Sequence, residues 1–255
     1  MTRKSLILAV AIFGWIVVAS VPVQAQLTRT VPLVKRAVVG VGTQLRTRSP
    51  AVIFFGTGFV VGDGLSVITN AHVVPPLSDP AAKEELGIVL SNGSTVAFRP
   101  ARLAGFDREH DLAHLRLEGE PLPVLQLAEA DRALEGQDLA FTGFPLGMAL
   151  GLHPATHRAT LAAITPVVTP SLSSRRLDPR AIAQLQRASF DVYQLDGTAY
   201  PGNSGSPVYD PETGVVQAVI NMVFVKGLKE TAITNPSGIT YAVPVRHVHA
   251  LLQQK

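Results

Sequence analysis

Apolar residues in this chain come in short runs, and each run is cut off by a turn signal after about eight to twelve positions, the rhythm of an all-β protein. From 31 to 61 the residues are β-branched and apolar, interrupted by Gly40, Gly42, Pro50, Gly56 and Gly58, which predicts short strands. Gly62-Asp63-Gly64 reads as a tight hairpin turn with 65–69 as the returning strand, and Asn92-Gly93 joins strands at 87–90 and 95–98. Further strands are expected at 102–105, 112–117, 137–142, 159–164, 190–195, 207–209, 215–225 and 238–242.

Helical periodicity is confined to two places. Asp178 before Pro179 fits an N-cap followed by proline at the first helical position, with Ile182 and Leu185 on one face, so 177–188 reads as a helical insertion in a long loop. Residues 245–253 put Val245, Val248, Leu251 and Leu252 on one side of a short closing helix. Residues 75–85 look like a surface loop, and 121–135 like a linker between two halves. No repeat of fixed period is present, which leaves a sandwich or barrels.

The amino terminus departs from this pattern. Arg3 and Lys4 precede an apolar run from Leu6 to Val18, and small residues follow up to Ala25, the order of parts in a secretory signal over residues 1–25. Cleavage is expected after Ala25, with an uncleaved anchor as the competing reading, and the mature chain then has no stable membrane association. Losing two positive charges takes the net charge from +3 to +1, 20 Lys+Arg against 19 Asp+Glu. Apart from Arg175-Arg176 the basic residues are scattered, so no footprint for nucleic acid exists. Cysteine is absent, which rules out disulfides and thiolate metal sites in a chain built for an oxidising compartment.

The candidate chemistry centres on Pro201-Gly202-Asn203-Ser204-Gly205-Ser206-Pro207. A serine hydroxyl becomes a nucleophile when a base takes its proton and backbone N–H groups await the oxyanion, and flanking glycines give a substrate room to approach. The same residues suit a simple hairpin, so the stretch alone leaves both readings open. His72 closes a predicted strand ahead of the proline-rich loop, where a side chain can be presented to a cleft. Alternation places Asp111 on the face of Ala113, Leu115 and Leu117, expected to be buried. A carboxylate there needs a partner, and a histidine N–H is a suitable one. His110 and His114 alternate to one face but lack a third clustered ligand for a metal, while His153, His157, His247 and His249 read as polar surface.

Thr69-Asn70-Ala71-His72-Val73-Val74, His110-Asp111-Leu112-Ala113 and Gly202-Asn203-Ser204-Gly205-Ser206-Pro207, in that order, resemble the trypsin-like serine proteases, most closely their HtrA/Deg branch. Gly56-Thr57-Gly58-Phe59-Val60-Val61 and Gln194-Leu195-Asp196 extend the similarity over roughly residues 35–250. The resemblance implies one protease domain over 26–255, made of two antiparallel six-stranded β-barrels at about 34–125 and 135–245 with a C-terminal helix. It implies an exported, periplasmic or secreted endopeptidase, acting on polypeptides, possessing no cofactor or metal, and concerned with protein quality control. His72 would be the general base, Asp111 its orienting partner and Ser204 the nucleophile, with the oxyanion hole at Gly202, Asn203 and Ser204. Thr198, six residues before the serine, would form the base of the substrate pocket, walled by Asn221, Met222, Val223 and the strand from Gly238. With no acid at that base, small to medium apolar or polar side chains are expected to fit better than Arg or Lys. Ser206 replaces a glycine common in the family, and the PDZ domain of many HtrA relatives is expected to be missing after Lys255. An inactive protease fold serving as a protein-binding or chaperone-like module is the alternative.

Overall fold

A computed structural model describes residues 24–76, 83–92, 95–131, 133–167, 190–222 and 238–254. The expected signal at 1–25 falls almost wholly outside the described residues, and the helix at 177–188 and Val223 lie outside them entirely.

Among the described residues twelve strands form two closed antiparallel barrels, each a solution to the exposed-edge problem of an open sheet. The first runs β1 (Val38–Gln44), β2 (Val52–Val61), β3 (Ser66–Thr69), β4 (Glu85–Asn92), β5 (Thr95–Asp107) and β6 (Leu112–Leu117), in the spatial order β1-β2-β3-β6-β5-β4. The second runs β7 (Asp138–Gly143), β8 (Ala155–Pro166), β9 (Asp191–Asp196), β10 (Pro207–Tyr209), β11 (Val216–Asn221) and β12 (Ile239–Pro244), in the order β10-β11-β12-β9-β8-β7. The all-β, two-barrel fold expected from the motifs is the one observed.

Three apolar clusters hold this arrangement together. Val39, Val41, Val60, Val67, Ile88 and Leu115 fill the first barrel. Leu139, Phe141, Leu161, Tyr193, Leu195 and Ile220 fill the second. Between the barrels lies a third cluster, including Phe59, Ile68, Leu112, Phe144, Tyr209 and Leu251. This seam sets the relative position of residues contributed by opposite barrels. The linker is stitched to both, since Leu125 N donates to Val60 O at 2.9 Å and Ala128 N donates to Val216 O at 2.9 Å.

Two expectations need correction. Residues 31–35 belong to a helix, α1 (Gln24–Lys35), and not to a strand. Its Leu27, Thr30 and Val34 are spaced i, i+3, i+7, and Val34 enters the seam cluster with Leu27 packed against it. Thr30 Oγ1 donates to Glu212 O at 3.2 Å, while Pro32, the residue that argues against a helix, lies on the exposed side. The separate strands expected at 95–98 and 102–105 are one strand, β5, which pairs with β4 up to Pro100 and with β6 from Ala101 onward. Pro100 marks a change of partner instead of an end, and a bulge between Leu103 and Gly105 bends the strand around the barrel.

The closing helix, α2 (Val245–Leu252), buries Val245, Val248 and Leu251 as its spacing requires. It packs on β5 and β6 of the first barrel as well as on β11 and β12 of the second. No described helix is long and apolar enough to cross a membrane.

Candidate active site

His72 and Asp111 reach each other from two loops at one end of the first barrel. After β3 the chain makes a 3-10 turn, Ala71–Val73, whose Ala71 and Val73 are buried, leaving His72 as the residue that faces outward. Asp111 is not within β6 but in the turn just before it, with φ of 54°, a left-handed conformation that Asp tolerates better than most residues. Its carbonyl holds the other loop by accepting from Ala71 N and Asn70 Nδ2, each at 3.0 Å. Its carboxylate accepts from three donors. Oδ1 accepts from His72 N at 2.9 Å, and Oδ2 accepts from His72 Nδ1 at 2.6 Å and from Asn221 Nδ2 at 2.8 Å. A carboxylate can only accept, so Nδ1 is the donor and Nε2 is left for another partner.

The turn that presents Asp111 is itself tied down. His110 N and His110 Nδ1 meet the Asp107 carboxylate at 3.0 and 2.7 Å. The His110 ring stacks on His247 of α2 at 3.7 Å and meets Phe190 edge-on at 4.5 Å. Burial and the adjacent His110 push the His247 ring down to a pKa of about 4. Burial works against the charge on Asp107, but the bonds from His110 still hold its carboxyl below the usual range. The surface reading of His247 is therefore wrong, as it is for His157, which stacks on Phe141 at 4.8 Å and whose pKa burial lowers. His249 also has an internal partner, donating from Nε2 to Ala128 O at 2.8 Å. Sequence reasoning missed these contacts because helical and strand periodicity do not reveal which rings meet across elements.

Ser204 lies between Gly202, with φ of 99°, and Gly205, with φ of 86°, conformations that glycine adopts without strain. Each carbonyl near the serine has a partner. Pro201 O accepts from Leu146 N at 2.6 Å, Asn203 O from Ser206 N at 3.0 Å, and Ser204 O from Thr57 N at 2.8 Å. In a planar trans peptide the N–H points opposite its C=O. Anchoring Pro201 O therefore fixes the direction of Gly202 N–H, and anchoring Asn203 O does the same for Ser204 N–H. Among the described residues neither N–H has a protein acceptor, and the Ser204 hydroxyl makes no hydrogen bond to the His72 ring. The Asn203 side chain points into the interior, fully buried, with no partner on either amide atom.

Thr198 is half-buried and bracketed by one hydroxyl: Thr240 Oγ1 donates to Gly197 O at 2.6 Å and accepts from Ala199 N at 3.1 Å. Gly197 N also donates to Gly238 O at 2.9 Å, so the segment around Thr198 is laced to the strand expected to wall it. Met222 packs against the second barrel's core. Asn221, expected in the pocket wall, instead gives its amide nitrogen to Asp111. Nothing in the spacing along the chain foretells that contact, because its partners lie 110 residues apart on different barrels. Among the described residues no group of three or more His, Cys, Asp or Glu is arranged to hold a metal ion.

Residues 56–219 match the family model of the trypsin-like peptidase domain. A putative serine protease HhoB of Synechocystis sp. is 25% identical over 75% of this chain and 38% of its own length. A probable periplasmic DegP-like serine endoprotease of Pseudomonas fulva is 27% identical over 85% of this chain and 37% of its own. The chain thus spans about two-fifths of the curated relatives it matches. Among solved structures, the active form of the Rv3671c protease of M. tuberculosis superimposes with a TM-score of 0.62 at 23% identity, covering 89% of this chain and 84% of that one. The match of the family model over more than half the chain, on a fold of two closed barrels, makes this chain a member of the trypsin-like peptidase family.

Proposed function

We propose that this protein is an exported serine endopeptidase that hydrolyses peptide bonds through an acyl-enzyme, with His72, Asp111 and Ser204 as its triad. The observation that carries this reading is the 2.6 Å contact from Asp111 to His72 Nδ1, which leaves Nε2 free to take a proton, beside a serine loop with two unengaged N–H groups. His72 removes the Ser204 proton as Oγ attacks the scissile carbonyl, then delivers it to the leaving amine. Water, activated by the same imidazole, releases the acyl group. The N–H groups of Gly202 and Ser204 receive the oxyanion, and the peptide between them passes through Asn203. The pocket over Thr198, beside Met222 and the strand from Gly238, takes a small to medium uncharged side chain of the polypeptide. Export fits the signal-like segment at 1–25 and the periplasmic naming of the DegP-like relatives, and a role in protein quality control follows the same likeness.

Diisopropyl fluorophosphate tests the reading by intact mass. One adduct mapped to Ser204, absent in Ser204→Ala and His72→Ala, is expected. A folded wild-type protein that takes up no label would overturn it and leave the inactive binding module as the better account.

A further inference from the structure

We infer that the hydroxyl of Thr57 is a positioning group for the Gly202–Asn203 peptide, which joins the two proposed oxyanion-binding N–H groups, exerted from the first barrel on a loop of the second. The inference rests on the proposed role of Ser204 and its neighbouring N–H groups.

Thr57 lies on β2, fully buried, and four of its contacts converge on the nucleophile loop or its supports. Its N–H donates to Ser204 O at 2.8 Å. Its hydroxyl donates to Gly202 O at 2.7 Å and accepts from Phe144 N at 3.0 Å. Its own carbonyl accepts from Thr69 Oγ1 at 2.7 Å, just ahead of the turn that carries His72. One hydroxyl has one proton, so giving it to Gly202 O obliges it to accept from Phe144 N, and both roles are filled.

The consequence for geometry follows from peptide planarity. Pro201 O is held by Leu146 N on one side of Gly202, and Gly202 O by Thr57 on the other, so both peptide planes flanking Gly202 are oriented. Gly202 at φ of 99° has no side chain to limit its rotation, and these anchors supply the limit together with Asn203 N, which donates to Tyr200 O at 2.9 Å from the same peptide that Thr57 holds. Space around the hydroxyl is tight and polar. A Cβ on Gly143 would collide with Ser206 Oγ and come within 2.9 Å of both Thr57 Oγ1 and Asn203 Oδ1. A Cβ on Gly205 would collide with Thr57 O. Two glycines thus let β2 and the serine loop approach closely enough for the hydroxyl to reach.

The test uses diisopropyl fluorophosphate on the full chain, because its phosphoryl oxygen needs the same N–H groups as a carbonyl. The Ser204 Oγ–P bond forms, fluoride leaves and the proton passes to His72. Rate and final extent of labelling are followed by mass for wild type, Thr57→Ser, Thr57→Val and Thr57→Ala. A misfolded fraction lowers the extent, whereas a misdirected Gly202 lowers the rate of what does label. Thr57→Ser should stay within about threefold of wild type, and Thr57→Val and Thr57→Ala should slow by roughly 10- to 100-fold at full extent, part of the loss seen when an oxyanion donor is removed outright. Equal rates in all four proteins overturn the inference while leaving the serine assignment intact. Loss of folding in both hydroxyl-free variants also overturns it, in favour of a purely structural role. Failure of the wild type to label is the separate failure of the serine reading.

Discussion

Asn221 Nδ2 lies 2.8 Å from Asp111 Oδ2, so the carboxylate of one barrel is held by an amide from the other. That oxygen also accepts the hydrogen bond from His72 Nδ1, and the two donors fix the plane of the carboxylate between them. Asn221→Ala should lower kcat roughly 10- to 100-fold, the scale of a hydrogen bond to a charged group, with KM little changed. A kcat within twofold of wild type on a fluorogenic peptide would show that His72 alone is enough to orient Asp111.

Asp111→Asn tests the tautomer. The amide can offer N–H where His72 Nδ1 needs an acceptor, which favours the wrong ring nitrogen for the proton. A fall in kcat of about 10⁴ is expected, with the melting temperature close to wild type. A much smaller loss at neutral pH would mean that the ring is oriented by something other than this carboxylate.

Acid should weaken the underside of the site. His247 has a folded pKa of about 4 against the ordinary 6.5, so the unfolded chain takes up its proton first as pH falls. Stability from this group is complete above about 6.5 and drains away toward about 4. His114 and His157, both lowered chiefly by burial, act in the same direction. Urea unfolding between pH 7.5 and 4.5 should show the decline, and His247→Phe, which keeps a ring against His110, should make it shallower. An unchanged slope in that variant would remove His247 from the account.

The pocket assignment predicts a switch. Thr198→Asp should move cleavage in a peptide library toward Arg or Lys, since the buried base would then offer a counter-charge. Strong Arg or Lys preference in the wild type would place the pocket elsewhere.

Strands and hairpin turns were legible in the sequence because their signals are local: Gly62-Asp63-Gly64 and the alternation in β6 each act over a few residues. His72 and Asp111 could be picked out because each sits in a recognisable context. What stayed hidden depended on tertiary contacts. Proline and β-branched residues argued against α1, and burial of Leu27, Thr30 and Val34 outweighed them. The strands expected at 95–98 and 102–105 looked separate, yet β5 runs through both and only changes neighbours at Pro100. Asn70 and Asn221 are ordinary turn and strand-end residues until the fold brings both to Asp111.

The stack of His247 on His110 gives the molecule a timetable. Both loops that carry His72 and Asp111 belong to the first barrel, which is synthesised well before α2. Until that helix arrives, the Asp111 turn lacks its floor, and the serine is itself supplied only by the later barrel. On a nascent chain, therefore, His72 and Asp111 emerge before the helix that floors their turn and before Ser204, and the three side chains come together only when the second barrel and α2 have followed.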